Sequence, residues 1–253
     1  MESSPPFENP PSSTNSTVPS SENSSDLSYE ILPEDYSQYD LSFKIIVIGD
    51  SGVGKSCLTI KATKNIFEDA YNATVGFEFF SFNIKMQGKV IKLNIWDTCG
   101  QELYRSLITN FYRNSSLAIM VYSINNKESF DNIDIWLKEL RMHSNPDAKV
   151  FLIGNKADLE ADRQVEKEAG EEYKEENSLN MFIETSAKNG FNAKEVFVEA
   201  AKILFDDYLK YKDKLSQRSS SIGSFKPMVP GEKGQEGKTL GETEDEKNKK
   251  CNC

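Results

Sequence analysis

No window of the 253-residue chain approaches eighteen consecutive apolar residues, which excludes a transmembrane helix. The N-terminal residues lack the basic and apolar segments of a secretory signal, so export is not expected. Cysteine is scarce: Cys57, Cys99, Cys251 and Cys253 are the four. Two fall in candidate ligand loops and two at the end of the chain, a spacing that makes no disulfide framework and suits a reducing compartment. Basic residues are missing from residues 1–41, which hold eight acidic side chains and no Lys or Arg, so all but two units of the net charge of -10 lie there. An acidic chain of this kind is not expected to bind nucleic acid. What remains, 38% apolar and 28% charged, is the composition of a globular protein.

Three segments follow from composition. Residues 1–41 are rich in Ser and Pro, and their apolar clusters are brief, as at Ile31-Leu32. Such a stretch buries too little surface to offset its ordering entropy and is predicted to be a disordered extension. It could be a passive extension, or a regulatory arm with phosphorylatable Ser residues. The sequons Asn15-Ser16-Thr17 and Asn23-Ser24-Ser25 carry little weight without a secretory signal. The Gly-, Ser- and charge-rich residues 215–253 read as a flexible tail, leaving residues 42–214 as the folded domain.

Within that domain, Gly49-Asp50-Ser51-Gly52-Val53-Gly54-Lys55-Ser56 fits the pattern G-x-x-x-x-G-K-[ST] directly after the apolar run Phe43–Ile48. Without a Cβ at Gly52 and Gly54, backbone N–H groups can close round phosphate oxygens at the positive start of a helix. The candidate cradle is Ser51, Gly52, Val53, Gly54, Lys55, Ser56 and Cys57. Lys55 would reach the β- and γ-phosphates and the Ser56 hydroxyl a magnesium ion. A Gly-rich turn that binds nothing is the alternative.

Further strand-like runs recur at Leu117–Ile124, Val150–Ile153 and Met181–Ile183, as continuous apolar blocks of the kind buried on both faces of a parallel sheet. Ile133, Trp136, Leu137 and Leu140 keep one helical face, as do Val196, Ala200, Ile203 and Leu204. Asn192 with Glu195 has the spacing of a helix N-cap and its reciprocal acid. Phe77–Ile84 and Val90–Trp96, joined around Gln87-Gly88, read as a hairpin. The predicted fold is α/β, of the P-loop NTPase type: a mixed, mainly parallel six-stranded sheet with helices on both faces and one β-hairpin. Ligands in such sheets bind at the carboxyl ends of the strands.

The loops at those ends carry chemistry. Asp97, in Trp96-Asp97-Thr98-Cys99-Gly100-Gln101-Glu102, could hold magnesium through water, and the Gly100 N–H is free for a terminal phosphate. Asp158, in Asn155-Lys156-Ala157-Asp158, could accept two hydrogen bonds from N1 and N2 of guanine, which adenine cannot reciprocate. The loop Glu184-Thr185-Ser186-Ala187-Lys188 offers a backbone N–H to the guanine O6. Four matches in this order, each at a strand end, are not chance.

These motifs resemble those of the Ras superfamily of small GTPases, and more closely its Rab branch, over roughly residues 42–212. The Rab-like features are Thr74-Val75-Gly76-Phe77-Glu78-Phe79, Lys92-Leu93-Asn94-Ile95-Trp96, Tyr112-Arg113, Ser129-Phe130-Asp131-Asn132-Ile133 and the ending Cys251-Asn252-Cys253. The run Ile153–Glu160 is most similar to endosome- and Golgi-associated members. The resemblance implies GTP and GDP as ligands with Mg2+, and slow hydrolysis quickened by an activating protein, since no arginine is evident in cis. It makes Thr74 the switch threonine that meets magnesium and γ-phosphate only in the GTP state, and Gln101 the residue that orients the attacking water. Phe67, twelve residues past Lys55, would pack on the guanine ring with Lys156 on its other side, core packing being the alternative for Phe67. Phe79, Trp96 and Phe111 match the aromatic triad read by effectors, with Phe111 in place of the usual Tyr. Asn155, Ser186, Ala187 and Lys188 complete the base site.

The resemblance further implies a monomer served by an exchange factor, an escort factor and effectors, on the cytoplasmic face of an endosomal or Golgi membrane, cycling with the cytosol and acting in vesicle traffic. Two prenyl groups on Cys251 and Cys253 would supply the attachment, because one lipid chain alone binds marginally. Three departures stand out. Cys99 replaces the usual Ala, either as a tolerated packing change or as a residue that slows hydrolysis or is open to oxidation. Leu103 and Ser123 replace Arg and Asp and read as surface or edge changes. Two other classes stay open: an adenine-nucleotide kinase or ATPase, which Asn155 and Asp158 oppose, and a scaffold that holds nucleotide without hydrolysing it, which Thr74, Asp97 and Gln101 oppose.

Overall fold

The computed structural model describes residues 28–68, 74, 76–100 and 111–219. Seven strands form one sheet: β1 (Tyr29–Leu32), β2 (Leu41–Ile48), β3 (Phe77–Met86), β4 (Lys89–Thr98), β5 (Leu117–Ser123), β6 (Lys149–Asn155) and β7 (Met181–Glu184). Their spatial order is β1-β3-β4-β2-β5-β6-β7. The run β4-β2-β5-β6-β7 is parallel, whereas β3 is antiparallel to both β4 and β1. The helices among the described residues include α1 (Lys55–Lys64), α2 (Lys127–Asp131), α3 (Ile133–His143), α4 (Lys167–Glu176) and α5 (Ala193–Ser219).

The apolar runs are continuous because both faces of the sheet are covered. From β2, Ile45 and Val47 enter a core with Leu58 and Ala62 of α1 and Val196, Ala200 and Leu204 of α5. Ile46 and Ile48 enter the opposite core with Met120 and Tyr122 of β5 and Ile133, Trp136, Leu137 and Leu140 of α3. The β3–β4 hairpin turns on Gln87 and Gly88 at φ 46° and 75°, the paired left-handed residues of a type I′ turn.

Three expectations are corrected. The disordered extension was drawn through residue 41, and the sheet was given six strands. In the structure β2 already begins at Leu41, and Tyr29–Leu32 form a seventh, antiparallel strand, Ile31 opposite Ile84 and Leu32 opposite Asn83. Beyond β1 the segment is tied down by polar contacts. Asn83 Nδ2 donates to the carbonyls of Pro33 and Glu34 at 2.8 and 3.0 Å, and Asp40 pairs with Lys89 and accepts from the Val90 N–H. The third correction concerns Asn192. It lies at φ 53°, outside the extended geometry of an N-cap, and its side-chain amide donates to the Glu184 carbonyl, tying β7 to the start of α5.

Candidate nucleotide site

The loops at the carboxyl ends of β2, β4, β6 and β7 enclose a cleft of roughly 410 Å³. Ser51, Gly52, Gly54, Lys55, Ser56, Cys57, Phe67, Thr74, Gly100, Asn155, Lys156, Asp158, Ala187 and Lys188 all line it. Of the described base- and phosphate-site candidates, Val53 and Ser186 do not. Val53 is buried in the core beside α1. Ser186 is buried too, and its backbone N–H donates to the Phe191 carbonyl. Sequence reading missed Glu68, Thr98 and Leu159, which complete the lining.

The phosphate end is built on two close approaches. Gly54 caps α1 at φ 93°, and a Cβ there would lie 2.4 Å from Asn155 Nδ2. A Cβ on Gly100 would lie 2.3 Å from the Asp50 carbonyl carbon and the Ser51 nitrogen, so that only glycine can rest on this peptide. Lys55 Nζ donates to the carbonyls of Gly49 and Asp50 at 2.9 and 2.7 Å. One of its three N–H directions is left for a phosphate oxygen. Burial pushes the Lys55 pKa down to about 8, with Asp97, Asp50 and Cys99 pulling it back up, which keeps the ammonium charged at neutral pH.

Beside it three oxygens converge. Ser56 Oγ lies 2.7 Å from Thr74 Oγ1 and donates to Asp97 Oδ2. Asp97 is buried, which drives its pKa up to about 7 against the opposing pull of Ser56 and Lys55, and its Oδ1 has no hydrogen-bond partner among the described residues. Among the described residues there is no cluster of three His, Cys, Asp or Glu side chains able to hold a metal. One carboxylate, with its Oδ1 unpartnered among the described residues, and two hydroxyls do fit Mg2+, which takes few protein oxygens and completes its shell with phosphate and water.

Asn155 is the hub of the base end. Its Nδ2 donates to the carbonyls of Val53 and Gly54 at 2.9 and 3.4 Å, and its Oδ1 accepts from Thr185 Oγ1 and the Ala187 N–H. The side chain thus ties the phosphate loop to the loop after β7. Asp158 sits in a 3₁₀ turn (Ala157–Asp162) after Lys156, itself left-handed at φ 66°, and its carboxylate is steadied by Ser186 Oγ at 2.5 Å. Arg163 clamps both oxygens of Glu184 at 2.7 and 3.0 Å and also holds Glu160, bracing that turn against the end of β7. Phe67 combines its two readings, since it lines the cleft and packs on the core beside α1.

Away from the cleft, Phe79 and Phe111 lie 5.4 and 5.2 Å from the Trp96 ring. Phe77, which sequence reading passed over, joins them at 4.6 Å from Phe111. Phe77 and Phe79 are about half exposed, at 48% and 50%. Cys99 is buried in the core beside α3. Ser123 is not a surface change: it is buried, and its hydroxyl donates to Asn125 Oδ1 at 2.6 Å. Gln101, Leu103, Cys251 and Cys253 lie outside the described residues.

With this geometry in place, comparison with protein families shows that the model described as the Ras family matches residues 44–206.

Proposed function

The chain belongs to the Ras family, as a small GTPase that switches between GTP and GDP, and we propose that it is a Rab-type switch recruiting effectors to a membrane in vesicle traffic. Ras-type GTPases bind guanine nucleotide with Mg2+ and hydrolyse GTP; the site here has the parts to do so. The observation that carries the reading is the meeting of Ser56, Thr74 and Asp97 oxygens beside a cleft that Asp158 also lines.

In this reading Lys55 holds the β- and γ-phosphates, and the amides from Ser51 to Cys57 surround them. Magnesium, when bound, neutralises charge on the phosphate oxygens. Asp97 keeps its carboxylate turned to Ser56, and Thr74 comes to the same point only while a γ-phosphate is present. Asp158 selects guanine, with Phe67 and Lys156 on the two faces of the base. Gln101 is assigned the orientation of the attacking water. Such a site works by positioning and charge neutralisation, so turnover without an activating protein is expected to run about three to five orders of magnitude below the assisted rate.

The Rab assignment is supported by the aromatic surface of Phe77, Phe79, Trp96 and Phe111 and by the Cys251-Asn252-Cys253 ending. With it come an exchange factor, an escort factor, a doubly prenylated tail and the cytoplasmic face of an endosomal or Golgi membrane. Competition for the purified protein between labelled GTP and unlabelled ATP or GTP, with Mg2+ present, tests the core of the reading. Displacement by GTP and GDP at micromolar levels and none by ATP is expected. Displacement by ATP would assign the site to an adenine-nucleotide enzyme instead.

A further inference from the structure

Asp50 carries a pair of contacts that neither the phosphate cradle nor the base site requires. Its Oδ2 accepts from Asn132 Nδ2 at 2.7 Å and its Oδ1 from Trp136 Nε1 at 2.8 Å. Both donors stand at the start of α3. Trp136 is fully buried, and Asn132, between α2 and α3, accepts from the backbone N–H groups of Ile135 and Trp136. A carboxylate in the middle of the phosphate loop is therefore gripped, on both oxygens, by a rigid helix on the opposite side of the sheet from α1.

The peptide that follows Asp50 is where this grip has consequences. Its carbonyl oxygen accepts from Lys55 Nζ at 2.7 Å. Its carbon and the Ser51 nitrogen form the surface on which Gly100 rests, too close for any Cβ. The Asp50–Ser51 peptide thus sets the position of Lys55, which meets phosphate in either nucleotide state. It also sets the position of Gly100, whose N–H matters only when a terminal phosphate is there to accept from it.

We propose that Asp50, held by Asn132 and Trp136, is a positioning residue that fixes the Asp50–Ser51 peptide as the seat for Gly100 and so couples α3 to the γ-phosphate-dependent state. The proposal rests on the Ras-type reading above. Loosening the grip lets the peptide tilt by a fraction of an ångström. Lys55 follows on its flexible stem, whereas Gly100, packed on backbone, cannot. The cost therefore falls on the GTP state and on hydrolysis, with GDP binding largely spared.

The test uses the full chain with Asp50→Asn, Asn132→Ala and Trp136→Phe. For each, GDP and GTP dissociation rates, the single-turnover GTP hydrolysis rate and the thermal midpoint are measured. Asp50→Asn keeps the shape but opposes an amide to the two donors and also removes a charge that helps hold the Lys55 proton, while the other variants each remove one donor and leave Asp50 in place, so the sparing of GDP is read from Asn132→Ala and Trp136→Phe. The expected result is GDP release within about threefold of the unmodified chain, with GTP retention relative to GDP, or hydrolysis, reduced about tenfold or more, the scale at which small misplacements act. Effects in Asn132→Ala and Trp136→Phe that do not add in the double variant would support a single grip. A lowered midpoint with hydrolysis and the GTP-to-GDP preference unchanged would overturn the proposal and leave the grip a purely structural tie. So would equal loss of both nucleotides. Failure of the unmodified chain to bind guanine nucleotide would instead sink the Ras-type reading itself.

Discussion

Asp97 holds a buried carboxylate with its pKa raised to about 7 by burial, and one oxygen without a partner among the described residues. Between the ordinary carboxylate range and about 7, the folded site keeps a proton that the unfolded chain releases, so folding without a cation becomes less favourable as pH rises through that window. A divalent ion must displace the same proton. Magnesium affinity is therefore expected to weaken about tenfold for each pH unit below about 7, read from Mg2+ titrations of nucleotide retention at pH 6 and 8. Equal affinity at both would show that Asp97 does not compete for the proton. Asn155 offers a second residue-scale test, because removing its side chain strands buried partners in two loops at once. Asn155→Ala is expected to cost about 2–4 kcal/mol in denaturant unfolding and to speed release of guanine nucleotide. A loss confined to nucleotide affinity would mean that the hub is not structural. Cys99, buried in the core beside α3, is expected to tolerate Ala with hydrolysis within about twofold, and to be indifferent to peroxide, the rate of reaction following thiol exposure.

At the scale of elements, β1 is the unexpected part. It is a four-residue strand on the outer edge of β3, with three of its four residues exposed, held as much by Asn83 and Asp40 as by its own pairing. A chain beginning at residue 28 is expected to match the full chain in thermal midpoint. One beginning at residue 41 should lose about 1–3 kcal/mol, for stranded backbone and Asn83 groups, and should self-associate through the bared β3 edge. Equal midpoints would show that β1 contributes nothing. The contrast with the other strands explains what sequence could show. Parallel strands buried on both faces write themselves as apolar blocks, and the Gln87-Gly88 turn writes the hairpin. The β1 stretch, mostly exposed, has neither signal, because its partner strand and not its own pattern orders it. The grip of Asn132 and Trp136 on Asp50 was hidden for a related reason: the partners are 82 and 86 residues apart, and Trp136 already had a sufficient role in the apolar face of α3. The cleft itself was legible, since nearly every described base- and phosphate-site candidate lines it; the exceptions among these, Val53 and Ser186, are residues whose motif contributes fold as well as ligand contacts.

For the whole molecule, the proposed account joins a nucleotide-dependent switch to a lipid-borne tail. The chain is acidic overall, which opposes anionic membrane surfaces, so under the proposed Rab reading lipid is expected to supply most of the attachment despite Lys247, Lys249 and Lys250 beside the terminal cysteines. Cys251→Ser with Cys253→Ser is expected to leave the protein in the soluble fraction of fractionated cells with nucleotide binding intact; persistence on membranes would count against prenyl attachment. The central claim, that a terminal phosphate draws Thr74 to Ser56 and Asp97 and draws Gly100 onto the phosphate loop, is tested most directly by amide hydrogen exchange. The comparison is between the Mg2+–GDP form and the form bound to Mg2+ and a non-hydrolysable GTP analogue. Slower exchange around Thr74 and Gly100 with the analogue, and unchanged exchange in β2, β5 and β6, is the expected result. Identical exchange in the two forms would contradict it.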